Sequence, residues 1–231
     1  MGTSGYSYKR WKGRFYPVKM KDPEMLGFYA QRFPTVEINN TFYRMPAREV
    51  LAKWAADTPE TFTFVLKAPQ RITHQKRLGG DVAADLEYFL GTAETMGGKL
   101  GPLLFQLPPY FKKDLARLRS FLELLPPGCR AAFEFRHETW FDEEVVAALR
   151  ERKAALCTAD TEEGGATAEV TPTADWGYLR LRRPDYDEEQ LRRWADRIRA
   201  QTWQDAFVFF KHEDEAKGPE LAERLTALMA G

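Results

Sequence analysis

Serine is scarce in this chain. It occurs only as Ser4, Ser7 and Ser120, none of them inside a G-x-S-x-G elbow, which excludes the usual serine hydrolase. The two cysteines, Cys129 and Cys157, lie in separate apolar runs without C-x-x-C spacing. No disulfide framework or thiolate metal site follows from them, and they read as two small buried hydrophobes of a reducing compartment. The three histidines form no H-E-x-x-H. A phosphate-binding G-x-x-x-x-G-K-[ST] is missing too, since Gly97-Gly98-Lys99-Leu100 copies only part of it and reads as a helix-ending turn. No G-x-G-x-x-G follows a strand pattern, so no dinucleotide cofactor is expected. Apolar runs such as Ala206 to Phe210 fall far short of the roughly 18 residues of a membrane span. The first residues carry no signal-peptide pattern, and a cytoplasmic location is expected. Net charge is absent as well: 34 basic residues meet 34 acidic ones, which argues against a generally basic nucleic-acid binder.

What the chain does have is a repeated alternation of two patterns. Short β-type runs begin near Gly2, Thr35, Phe62, Pro102, Arg130, Ala154, Gly177 and Ala206, with a mean interval of about 29 residues, the length of one βα unit. Between them lie stretches with helical spacing of apolar residues: 23–32, 81–96, 115–125, 143–151, 188–198 and 219–229. Asp142 is a suitable N-cap for the fourth of these. No shift in composition divides the 231 residues, so residues 1–231 are read as one domain. Eight βα units in series predict an α/β fold, a single (β/α)8 TIM-like barrel, with an open doubly wound sheet as the alternative. From Thr161 to Ala174 the chain is short, polar and glycine-bearing, and a loop is expected there in place of the sixth outer helix.

In such a barrel the reactive groups stand at the C-terminal ends of the strands. Those ends carry Glu37 and Asn39, Lys67, Gln106, Glu134 and Arg136, Asp160, Arg180 and Arg182, and Lys211. Glu37 shares a strand face with Asn39, and Glu134 with Arg136. Cations outnumber carboxylates in this ring, which favours a small anionic ligand. Glu134, set between Phe133 and Phe135, is expected to be partly buried and paired with a cation from another strand. The bland alternative is an ion-pair network that closes the top of the barrel.

Five ordered motifs carry a resemblance. They are GTSGYSYKRWKGRFYP from Gly2, VEINNTFYRMP from Val36, FVLKAPQRITH from Phe64, LGPLLFQLPPYF from Leu100 and AAFEFRHETWF from Ala131. The chain resembles the YecE-like family, domain of unknown function 72, nearly from end to end. The resemblance implies a TIM-like barrel and no established activity. It departs after strands seven and eight, where Arg182-Arg183 stands in place of His-Gly and Lys211-His212 in place of an Asn pair.

Aromatic residues gather after strands one, two and five: Tyr6, Tyr8 and Trp11, then Phe42 and Tyr43, then Trp140 and Phe141. They either stack a ligand or pack the loops over the rim. His74, His137 and His212 follow strands three, five and eight, but without metal-ligand spacing, and neither a metal nor another cofactor is expected. The leading expectation is an enzyme acting on a small phosphorylated or carboxylated, sugar-like metabolite. Its acid and base candidates are Glu37, Glu134 and Asp160. Asn39, Tyr43, Lys67, Gln106, Arg136, His137, Arg180 and Lys211 would hold the substrate. Lys67 is also conceivable as a Schiff-base nucleophile. The alternatives are a nucleic-acid-binding or processing protein, based on the basic stretch Arg71 to Arg77, and a non-catalytic ligand-binding protein.

Overall fold

The computed structural model describes residues 1–161, 169–211 and 214–230. Among them, nine strand segments alternate with seven α-helices. The strands are β1 (Gly2–Thr3), β2 (Thr35–Ile38), β3 (Thr63–Lys67), β4 (Leu100–Gln106), β5 (Ala131–Glu134), β6 (Ala155–Leu156), β7 (Thr158–Asp160), β8 (Trp176–Leu181) and β9 (Asp205–Phe210). The helices are α1 (Met25–Ala30), α2 (Arg48–Ala56), α3 (Val82–Ala93), α4 (Leu115–Leu124), α5 (Glu143–Glu151), α6 (Glu188–Arg199) and α7 (Lys217–Ala230). No helix among the described residues is long and apolar enough to cross a membrane.

All strand pairing is parallel and falls into two sheets, in the orders β1-β9-β8-β7 and β2-β3-β4-β5-β6. The eight expected runs therefore make two bonded sheets rather than one continuous ring. One interruption lies at Cys157. The sixth run pairs with β5 through Leu156 and switches to β8 from Thr158 onward, while the Cys157 amide donates to the Phe133 carbonyl at 2.8 Å. The other lies beside β1, which is only two residues long and meets β2 through a single Ser4–Glu37 bridge. Gly2 permits that approach, because a Cβ there would stand 2.0 Å from the Thr35 carbonyl oxygen.

Parity explains the core. Val65, Leu104, Ala132, Ala155, Cys157, Trp176, Tyr178 and Phe209 form one apolar cluster, and their strand neighbours Phe64, Leu66, Leu103, Phe105, Phe133, Leu179, Leu181, Val208 and Phe210 belong to a second, larger one with the helices. Strands buried on both faces are the signature of parallel sheets. The helices are built for this packing. Asp142 caps α5 by accepting from the Val145 amide at 3.1 Å, as its position in the sequence suggests. Asp187 and Gln190 form a capping box on α6, which buries Leu191, Trp194, Ala195 and Ile198 at helical spacing. Gly97, at φ +56°, breaks the helical run before β4, so Gly97-Gly98-Lys99 is a turn and not a phosphate loop. Helix α2 was not legible: it buries only Leu51 and has no apolar stripe for periodicity to detect.

Of the expected loop between Thr161 and Ala174, residues 162–168 lie outside the described residues. Residues 169–174 contain no helix. Thr173 ties the returning chain to the sixth strand run. Its hydroxyl donates to the Ala154 carbonyl and accepts from the Leu156 amide, both at 2.7 Å.

Candidate functional site

The strand face that carries Trp176 and Tyr178 ends at Arg180, and here the polar residues begin. Arg180 is 1% exposed and lies between Glu37, at 0%, and Glu134, at 1%. One of its terminal nitrogens donates to Glu37 Oε1 at 2.8 Å, and the other donates to Glu134 Oε2. A guanidinium presents a rigid fork of donors and can span two acceptors in this way. The remaining carboxylate lone pairs are also used. Glu37 accepts from Ser4 Oγ at 2.8 Å, Asn39 Nδ2 at 3.1 Å and the Tyr178 hydroxyl at 2.6 Å. Glu134 accepts from Gln106 Nε2 at 3.2 Å and Arg136 Nε at 3.0 Å, with Arg182 Nη1 3.9 Å away. Burial, the largest single influence, would raise both carboxyl groups, but the Arg180 charge together with the surrounding charges and hydrogen bonds outweighs it and holds both below the ordinary carboxylate range. Both are ionised at neutral pH. The expectation for Glu134 holds in a stronger form, since it is fully buried and its partner comes from β8.

Above this floor stand side chains that reach toward solvent. Lys67 leaves the end of β3, and its ammonium lies over the Phe42 ring, 4.1 Å from the centroid. Burial first, and then the Arg180 charge, bring its pKa down to about 8. His74 meets the same Phe42 ring edge-on at 4.8 Å, and burial followed by the charges of Lys67 and Arg136 lowers its pKa. Arg136 is 36% exposed along its side chain and Arg182 16%. Tyr43, packed edge-on against Phe42, is 76% exposed.

Glu37, Asn39, Lys67, Gln106, Glu134, Arg136 and Arg180 thus come together. Asp160 does not join them. It is level with Leu181, one step out of phase with the inward pair Ala159 and Arg180, and it accepts from Arg183 Nε at 2.9 Å. His137 is used locally, its Nδ1 accepting from the Thr139 amide at 3.2 Å to cap the short helix Glu138–Trp140. Lys211 is exposed at the end of β9, and its amide donates to the Leu181 carbonyl. His212 lies outside the described residues. Among the described residues no three His, Cys, Asp or Glu side chains converge as a metal site would require.

Two sequence features turn out to be packing. Trp11 and Trp140 are buried, the first among Tyr8, Phe15 and Tyr16 and the second stacked on Phe135 at 4.5 Å. In the basic stretch Arg71 to Arg77, two cations are tied to α3 and its N-cap, Arg71 to Asp85 at 2.7 Å and Lys76 to Asp81 and Asp85 at 2.6 and 2.7 Å, while Arg77 lies over the Phe111 ring. Sequence reading passed over Tyr178 and Ser4. Both were within reach of the parity rule, since Tyr178 stands two residues before Arg180 and Ser4 two residues after Gly2, level with Glu37.

Comparison with known proteins agrees with this architecture. The family described as protein of unknown function DUF72 matches residues 1–231. The chain belongs to the DUF72 family. It is 33% identical over 136 residues to the UPF0759 protein YunF of Bacillus subtilis, covering 54% of this chain and 47% of that protein. It is 34% identical over 116 residues to the UPF0759 protein YecE of Escherichia coli K12, covering 49% and 42%. The matched part of the chain thus spans just under half the length of these curated relatives. Among solved structures, a DUF72 family protein of Thermotoga maritima superposes with a TM-score of 0.87 at 26% identity, over 100% of this chain and 98% of that one. A DUF72 family protein of Enterococcus faecalis, 17% identical, shares the fold with a TM-score of 0.77 over 90% and 94%.

Proposed function

We propose that the eight βα units close into a TIM-like barrel, and that its mouth binds a small anionic, sugar-like molecule and acts on it. The observation that supports this reading is the charge of the mouth. Three cations, Lys67, Arg136 and Arg180, face two carboxylates, Glu37 and Glu134, leaving an excess of one positive charge among these five groups. Both carboxylates are engaged by Arg180, so we assign them to fixing the floor rather than to donating protons. Arg136 would hold the anionic group, with Lys67 beside it, and the exposed Tyr43 ring would lie against the body of the ligand.

A thermal-shift panel at fixed ionic strength tests this. Inorganic phosphate and sugar phosphates should raise the melting temperature, neutral sugars should not, and Arg136→Ala should lose most of the effect. Equal stabilisation by neutral sugars, or an unchanged response in Arg136→Ala, would remove the anion site. Turnover of a stabilising ligand is the measurement that separates an enzyme from a binding protein.

A further inference from the structure

We infer that Lys67 is an amine nucleophile that forms a Schiff base with a carbonyl compound bearing an anionic group. The inference rests on the anion reading above, because the neighbouring arginines would hold that group while the carbonyl carbon meets the amine.

The geometry sets the half-buried Lys67 apart from the buried or anchored lysines. Lys99 is buried, but its ammonium donates to the Ala55 and Thr58 carbonyls at 2.7 and 2.8 Å and pairs with Glu60, so it ties α2 to the turn that follows it. Lys76 and Lys113 are each held by two carboxylates, which raise their pKa values. Lys67 makes no ion pair among the described residues. The nearby acids Glu37 and Glu134 are already taken by Arg180, and what its amine meets is the face of Phe42. Its backbone is fixed by the Thr41 hydroxyl, which donates to the Lys67 carbonyl at 2.7 Å. A lysine attacks only through its free lone pair, and desolvation beside other cations is a recognised way to expose it. With a pKa of about 8, roughly a tenth of Lys67 is the free amine at pH 7, against a few in ten thousand for an ordinary lysine.

The step balances without a further reactant. The amine nitrogen bonds to the carbonyl carbon, the carbonyl oxygen leaves as water with the two amine hydrogens, and a C=N bond replaces C=O. Such an adduct withdraws electrons from the carbon beside it, which suits C–C or C–H bond changes α to the former carbonyl.

The test uses the full chain with glyoxylate, an anionic aldehyde, trapped by borohydride and read by peptide mass spectrometry at neutral pH. Lys67 should be modified about tenfold or more faster than any other lysine. Inorganic phosphate should slow that modification, acetaldehyde should modify Lys67 less than glyoxylate does, and Lys67→Arg should lose the adduct while keeping its cation. Lysines labelled evenly, or Lys67 labelled only at the alkaline pH where ordinary lysines react, would overturn the inference. Stabilisation by phosphate without a Lys67 adduct would break this inference and leave the anion site standing. Loss of both would break both.

Discussion

The floor and the rim of the candidate site are built from the same residue types and behave differently. On the floor, Arg180, Glu37 and Glu134 are each at most 1% exposed, and both carboxylates are engaged on both oxygens. On the rim, Lys67, Arg136 and Arg182 keep contact with solvent, and the acid that both arginines approach, Glu134, is already held by Arg180. The contrast follows from desolvation. A buried ion must be paired and hydrogen-bonded, whereas a partly wet one can carry uncompensated charge at little cost. The floor therefore serves the fold, and the rim can serve a ligand.

The largest effect should come from removing the cation that joins the two acids. Arg180→Met strands Glu37 and Glu134 in the interior and should cost roughly 3–5 kcal/mol, read from urea denaturation. A loss below about 1 kcal/mol would place the floor in the same class as the rim. Acid should act on the same pair. Both carboxyl groups titrate lower in the folded chain than their ordinary 4.5, so the stability they provide is complete above that pH. It is lost as pH falls through the folded values. Unfolding curves of Glu134→Gln should accordingly be flatter below pH 4.5 than those of the parent chain.

Lys67 should show the opposite limb. Its folded pKa, about 8, lies below its ordinary 10.5, so between those values the unfolded chain holds more protons and stability rises with pH. Lys67→Met should abolish that rise, and an identical slope in the variant would mean that its ammonium is not desolvated. The smallest effect is expected at Tyr43, which is 76% exposed. Tyr43→Ala should change stability by about 0.5 kcal/mol or less. It should still weaken the phosphate-dependent shift if the ring contacts the ligand.

Much of this division could be read before the fold was known. Strand starts fell within two residues of their observed positions, because buried parallel strands leave unbroken apolar runs between turn signals. Strand ends then nominated Glu37, Lys67, Gln106, Glu134, Arg136 and Arg180, which do converge. What sequence could not supply was which charges cancel. Asp160 looks equivalent to Glu134 until pairing with β8 places it beside Leu181. His137 looks like a ligand contact until its ring caps the next turn. The partner switch at Cys157 leaves no local signal either, since it depends on hydrogen bonds to β5 and β8 and not on residues of the sixth run itself.

The separation of floor from rim is tested most directly by titrating a sugar phosphate into the parent chain and into Arg136→Ala by calorimetry, at one ionic strength. The parent should bind one equivalent saturably. The variant should fold with a stability loss within about 1 kcal/mol and show no saturable heat. Equal binding by the two chains, or a variant that loses binding only because it unfolds, would contradict the assignment of ligand recognition to the rim.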